Sequence, residues 1–160
     1  MFNGKFSFLS NFHPSQIKIW NMTFPTVENA HQARKTLDWS LRETFQAMTP
    51  GQAKRAGRKL AMAPGFDGIK VDHMRTCLRR KFLIPELRRQ LEETGQLRLE
   101  EGNTWGDRFW GVCQTGPLTW TGANNLGLLL MEVRKDLQTG KFKEWEEFLA
   151  KDSEAIYGNS

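Results

Sequence analysis

A chain of 160 residues can bury one substantial core, but it leaves little for a second independent domain. Its 39% hydrophobic and 26% charged residues exclude a disordered chain, and no run approaches the roughly 18 apolar residues of a membrane span. The net charge of +5 admits an anionic partner (nucleic acid, nucleotide or phosphate) or simply a mildly basic surface.

Residues 5 to 24 read as short strands. "KFSFLSNF" alternates aromatic and polar positions, and "QIKIWNMTF" sets Ile17 and Ile19 against Gln16 and Lys18 before turning near Asn21. Pro25 and Thr26 open a first helix. Ser40 and Glu43 have capping-box spacing and predict a second. Thr49 and Gln52 repeat that spacing around Pro50, which predicts a third helix carrying Lys54, Arg55, Arg58 and Lys59. Val71, Met74, Leu78 and Phe82 then form a helical stripe beside Cys77. Pro85 opens a short helix that buries Leu87 and Leu91 and stops at Gly95. "LRLEE" is a candidate strand, and residues 102 to 124 read as a long loop rich in Gly and Trp. A strong helix follows, with Leu126, Leu129, Leu130, Val133 and Leu137 facing inward and Gly140 at its end. The tail over 141–160 is amphipathic, with Trp145, Phe148 and Leu149 on its apolar side. The expected fold is α+β and mainly helical: one compact domain over 1–160 with a small N-terminal strand element.

Two cysteines, Cys77 and Cys113, lie outside any CxxC pair. No metal and no cofactor is expected, and so few cysteines suit a reducing cytoplasm. "MFNGKFSFLSNF" lacks a long apolar core, so no signal peptide and no membrane association are expected.

In "FPTVENAHQARK" the residues Glu28, His31, Gln32 and Lys35 stack on one helix face. A first-turn acid ordinarily offsets the helix dipole. Its three polar neighbours make this face a poor core stripe, so it either meets solvent or lines a pocket. His31 is a candidate acid, although a lone histidine more often only hydrogen-bonds. The basic clusters Lys54–Lys59 and Arg79, Arg80, Lys81 read as solvated faces, with phosphate contact the lesser alternative. The loop "EGNTWGDRFWGVCQTGPLTWTGANNLG" exceeds the length of most connections in compact domains, and such loops are often functional. Trp105 and Trp110 each precede a glycine, with Asp107 between them; Trp110 and Asp107 are expected to meet a ligand, and Trp120 to plug the core. Asn124 and Asn125 begin a helix, where they either cap it or leave amides free for an anion. GxSxG, P-loop, HExxH and GxGxxG patterns are absent.

"FLSNFHPS", "FPTVENAHQARK", "DRFWG" and "GANNLGLLLMEVR", in that order, resemble the NADAR family, named for its inferred link to NAD and ADP-ribose metabolism. The resemblance covers about residues 6 to 134. It implies a small, mainly helical α+β domain that hydrolyses N-glycosidic bonds. Described members act on a phosphorylated ribosylaminopyrimidine of riboflavin synthesis, or remove ADP-ribose from guanine in DNA. The family's glutamate falls on Glu28, its helix lysine on Lys35, and the Asp of its Asp-aromatic-Trp-Gly motif on Asp107, with Trp110 and Gly111 completing it. The motif asparagine falls on Asn124, and the early Ser-Asn-Phe on Ser10, Asn11 and Phe12. The chain departs from the pattern at Asn29 (usually His), His31 (usually aromatic) and Val112 (Asp in some relatives), changes that bear on substrate choice.

Glycoside chemistry handles the oxocarbenium-like transition state with carboxylates, so Glu28 is expected near the anomeric carbon, steadying the cation and orienting or deprotonating water. Asp107 would hold a ribose hydroxyl or share that water. Trp110 and Phe12 would stack on the base, Lys35 would meet phosphate, and Asn124 would bond ribose or phosphate. Asn11, His31, Gln32, Trp105 and Gly111 complete the expected binding set. The partner would be a ribosylated or ADP-ribosylated base, with DNA a candidate and the oligomeric state open. Two rivals remain: a non-catalytic ADP-ribose or nucleic-acid reader, and an interaction protein contacting others through its tail helix.

Overall fold

The computed structural model describes residues 2–155, with side chains described through residue 149. Strands β1 (Ile17–Ile19) and β2 (Met22–Phe24) form the expected hairpin, in the register Ile17↔Phe24, Lys18↔Thr23, Ile19↔Met22. Trp20 and Asn21 supply its two-residue turn, and both have positive φ (55° and 58°), as a type I′ hairpin turn requires. The segment before it is not a strand. Gly4–Leu9 is a 3-10 helix in which Phe6 and Leu9, three apart, share the inner side. Phe8 and Leu9, adjacent in the chain, are its buried residues, so the aromatic alternation does not mark one inner face.

Helix α1 (Val27–Ala33) follows. Its cap, Thr26, accepts the amide of Asn29, and all seven of its residues are buried. Helix α2 (Trp39–Thr44) starts before the expected Ser40, because the Asp38 carboxylate, not a serine hydroxyl, accepts the Leu41 amide at 3.1 Å. Helix α3 (Pro50–Lys59) has the expected reciprocal box: Thr49 Oγ1 accepts the Gln52 amide and Gln52 Oε1 accepts the Thr49 amide. Helix α4 (Phe66–Lys81) buries Met74, Cys77 and Leu78, with Phe82 just past its end. Helix α5 (Pro85–Glu93) buries Leu87 and Leu91, and Gly95 follows with φ 58°.

The supposed long loop holds a sheet. Strand β3 (Gly102–Asn103) runs parallel to β4 (Val112–Gly116), which pairs antiparallel with β5 (Thr119–Thr121). "LRLEE" itself is not a strand; pairing begins one residue later. β5 is exposed at all three positions, so no buried-exposed alternation marks it. Trp120 accordingly sits 47% exposed instead of plugging the core. Helix α6 (Asn125–Gln138) buries its expected leucine stripe and packs on α4, where Arg75 pairs with Glu132 at 2.8 Å and Arg79 with Asp136 at 3.5 Å. In α7 (Phe142–Ala155) Trp145 and Leu149 are buried at i and i+4, whereas Phe148 lies outside that seam and is 63% exposed. The last positions of the expected tail, 156–160, fall outside the described residues.

The basic run at the end of α4 is not a solvated face. Lys81 is completely buried, and its ammonium donates to the Ser10 carbonyl at 2.8 Å. Burial pushes its pKa down to about 7. Among the described residues no helix is long and apolar enough to cross a membrane.

Asn29 is fully buried and brackets α1 to the chain after α2. Its amide donates to the carbonyls of Phe45 (2.9 Å) and Met48 (2.8 Å), while its Oδ1 accepts from Thr26 Oγ1. Asn29→Ala removes the donor to a buried carbonyl (Phe45) and a part-buried one (Met48) and opens a void, so urea unfolding should show a loss of about 2–4 kcal/mol.

Candidate active site

A cavity of about 710 Å³ opens where α1, α3, the start of α4, the 10–12 turn and the 101–110 segment converge. It gathers nine of the eleven expected site residues: Asn11, Phe12, Glu28, His31, Gln32, Lys35, Trp105, Asp107 and Trp110. Glu28, His31 and Gln32 on α1, with Lys35 two residues past its end, therefore form a cavity wall and not a wet surface.

Glu28 is only 7% exposed. Its backbone amide donates to the Asn11 carbonyl at 3.0 Å, which ties the start of α1 to the 10–12 turn. Its Oε1 accepts from Gln32 Nε2 at 2.8 Å, one helical turn on. Burial pushes the Glu28 pKa up; the Gln32 amide and the ammonium groups of Lys54 and Lys35 hold it down, and the Asp107 charge adds to the rise. Lys35 is lowered, first by its own burial.

Asp107 owes its place to Asn103, a residue the sequence reading missed. The buried Asn103 side chain donates to the Asp107 carbonyl at 2.7 Å and accepts the Asp107 amide at 3.0 Å. Asp107 Oδ1 in turn accepts the amides of Phe109 (3.1 Å) and Trp110 (2.9 Å), closing a local turn. Trp110 stands edge-on to His31 at 5.4 Å and to Phe109 at 4.8 Å, so its plane is set from two sides. His31 is buried and stacks on His73 at 6.0 Å, and burial holds its pKa well below the usual imidazole value. His31 is therefore neutral at pH 7. Asn11 Oδ1, His31 Nδ1 and Gln32 Oε1 are buried on this wall without a protein partner.

Lys54, Arg55 and Arg58 of α3 line the cavity, as does Lys70 of α4; Arg55 and Arg58 also keep the solvent exposure expected of that face, and Lys54 is half-buried. Lys54 lies over both Phe12 (5.6 Å) and Trp105 (5.0 Å), and Lys70 over Phe109 at 4.0 Å. The spacing of 54, 55 and 58 already placed three cations on one helix face. Nothing in sequence said which way that face turned, and no spacing signal marked Asn103.

Two expected residues support the site from behind. Asn124 is 4% exposed; its amide donates to the Leu99 carbonyl at 2.9 Å, and its Oδ1 accepts the Glu101 amide at 3.0 Å. It neither caps α6 with its side chain nor lines the cavity. At Gly111 a Cβ would lie 2.2 Å from the Glu101 carbonyl oxygen, so the glycine serves a close strand crossing and not a ligand. Among the described residues no group of three His, Cys, Asp or Glu side chains is placed to hold a metal.

A desolvated carboxylate, a second carboxylate, fixed aromatic planes and a cationic rim thus line one cavity of an α+β domain. The chain belongs to the NADAR family, whose domain model matches residues 1–138. It is 38% identical over 136 residues to N-glycosidase YbiA of Escherichia coli (strain K12), covering 82% of each chain. It is 34% identical over 136 residues to N-glycosidase Npun_R5314 of Nostoc punctiforme, covering 81% of this chain and 84% of that one. Riboflavin biosynthesis protein VVA0006 of Vibrio vulnificus is 37% identical over 135 residues, 82% of this chain and 35% of that protein. The solution NMR structure of the E. coli protein YbiA superposes with a TM-score of 0.73 at 35% identity, over 88% of this chain and 83% of that one.

Asn124→Ala should act on the scaffold. It leaves the Leu99 carbonyl and Glu101 amide unpaired, and should lower unfolding free energy by about 2 kcal/mol. Affinity for ADP-ribose, measured by calorimetry well below the melting temperature, should change less than after Lys35→Ala.

Proposed function

We propose that this chain, an N-glycosidase of the NADAR family, cleaves the bond between a phosphorylated ribose and a base, with Glu28 as the catalytic carboxylate and Asp107 as its partner. The observation that carries this reading is the burial of Glu28 on the wall it shares with Asp107 and Trp110. Departure of the base leaves positive charge on the ribose. A carboxylate already stripped of water stabilises that charge more strongly than a solvated one would. Glu28 steadies the cation and orients or deprotonates the incoming water.

Asp107 Oδ1 is engaged by the Phe109 and Trp110 amides, so Oδ2 is the atom we assign to a ribose hydroxyl. Trp110, with Phe12 and Trp105 nearer the mouth, offers faces for the base. Lys35, Lys54, Arg55 and Arg58 supply phosphate contacts. Four cations suit a diphosphate, which favours ADP-ribose attached to a base such as guanine in DNA. The name of the Vibrio relative supports the second substrate class, a ribosylaminopyrimidine phosphate. The non-catalytic reader is separated from both by product release.

Incubation with ADP-ribosylated DNA and, separately, with a ribosylaminopyrimidine phosphate should release the free sugar from at least one. Glu28→Gln should cut turnover by about 10²–10⁴-fold while retaining the ligand-induced rise in melting temperature. Wild-type turnover in that variant removes the mechanism, and tight binding without release favours the reader. The pH profile carries two signs. The raised Glu28 must be ionised to act, so activity should fall on the acid side at a pH above the ordinary carboxylate range. The lowered Lys35 should lose its charge, and KM should rise, at a pH below the ordinary lysine range.

A further inference from the structure

Gly57 lies inside α3, in a sequence otherwise well built for a helix, and glycine is a poor helix former there. Its φ is ordinary, so backbone conformation does not demand it. Space does. A Cβ at position 57 would fall 1.9 Å from Gln32 Oε1 and 2.8 Å from Gln32 Cδ. The amide of Gln32 fills the place a methyl group would take. Its other end, Nε2, donates to Glu28 Oε1 at 2.8 Å. Gln32 is 6% exposed, so its amide has little room to move. The reversed amide would set a carbonyl against a carboxylate, which fixes the N–H toward Glu28.

We propose that Gln32 and Gly57 are positioning residues for Glu28: Gly57 leaves the space that the Gln32 amide occupies, and that amide orients the carboxylate. Gln32 was expected to bind substrate, and Gly57 belonged to no motif. The inference rests on Glu28 being the catalytic carboxylate. It also gives the amide a second effect. Burial works against the charged form of Glu28, and the Gln32 hydrogen bond is the largest influence opposing it, ahead of Lys54 and Lys35. A residue at 57 that displaces the amide therefore both loosens the carboxylate and favours its protonation.

The test compares Gln32→Ala, Gly57→Ala and the double variant in two measurements. One is the pH dependence of kcat and KM on whichever substrate the wild type turns over. The other is a carbon-13 NMR titration of the Glu28 side-chain carboxyl without substrate. Each single variant should raise the Glu28 midpoint, move the acid limb of kcat to higher pH and lower kcat at pH 7 about tenfold, with KM nearly unchanged. In the double variant the Glu28 midpoint and kcat should match those of Gln32→Ala, because the amide is already gone; the Cβ of residue 32, 3.1 Å from a Cβ at 57, remains, so only the melting temperature should fall further. An unmoved Glu28 midpoint in Gln32→Ala overturns the proposal, and additive losses in the double variant overturn the part assigned to Gly57. If Gly57→Ala melts below the assay temperature, Gln32→Ala decides alone by its midpoint. A midpoint that moves while Glu28→Gln keeps wild-type turnover would uphold the coupling and overturn the catalytic reading instead.

Discussion

The structure depends on burying a short helix that is mostly polar. Among the seven residues of α1, Glu28, Asn29, His31 and Gln32 are all nearly or wholly out of water. Such burial is unfavourable, and partners offset it for most of these groups, His31 Nδ1 and Gln32 Oε1 excepted. Asn29 finds two backbone carbonyls and the capping threonine. Glu28 and Gln32 find each other, and the Glu28 amide finds the Asn11 carbonyl. His31 stays neutral and packs as an aromatic ring against Trp110, Phe66 and His73. The surrounding elements are arranged around these demands. The hairpin, α3 and α4 close on α1, and the 10–12 turn is held in reach by the buried ammonium of Lys81 on the Ser10 carbonyl.

That arrangement sets the electrostatics of the cavity. Burial pushes the Glu28 carboxyl toward its neutral form, and an uncharged acid cannot steady a cation. The opposing influences come from two directions: the Gln32 hydrogen bond and the Lys35 charge on the Glu28 wall, and the charge of Lys54 on α3. The same lysines serve as phosphate contacts in the proposed function, so one set of charges does two tasks. Lys54 is in turn held over the rings of Phe12 and Trp105, which couples the phosphate side of the cavity to its aromatic mouth.

The sequence was legible where local physics decides. The Thr49 box, the proline-opened α5, the α6 stripe and the polar face of α1 all follow from spacing within one element, and the structure shows each of them. It was illegible where the answer lies in a distant partner. β4 and β5 carry no alternation, because only the neighbours Val112 and Cys113 are buried. The close backbone approaches beside them need glycine, since a Cβ at Gly111 would meet the Glu101 carbonyl oxygen and one at Gly122 the Gly111 carbonyl oxygen, each 2.2 Å away. Lys81 and the α3 cations look alike in sequence, yet one is sealed in the core while the others line the cavity. Asn124 fitted a ligand contact equally well as a motif residue, but its partners, Leu99 and Glu101, are more than 20 residues away in the chain.

The three departures from the family pattern have different weights once placed in three dimensions. Asn29 has no surface toward the cavity; it is the bracket that holds α1 to the Phe45–Met48 turn, and a side chain of another shape there would have to answer the same two carbonyls. Val112 is buried at the start of β4, where an apolar side chain suits the interior and a carboxylate would need a partner of its own. His31 alone among the three lines the cavity, with a neutral ring standing edge-on to Trp110. An aromatic ring in its place would keep that edge contact but not the ring nitrogen. The departure able to touch a ligand is therefore the one that changes hydrogen-bonding capacity at a fixed shape, and it leaves the carboxylates and cations of the cavity untouched.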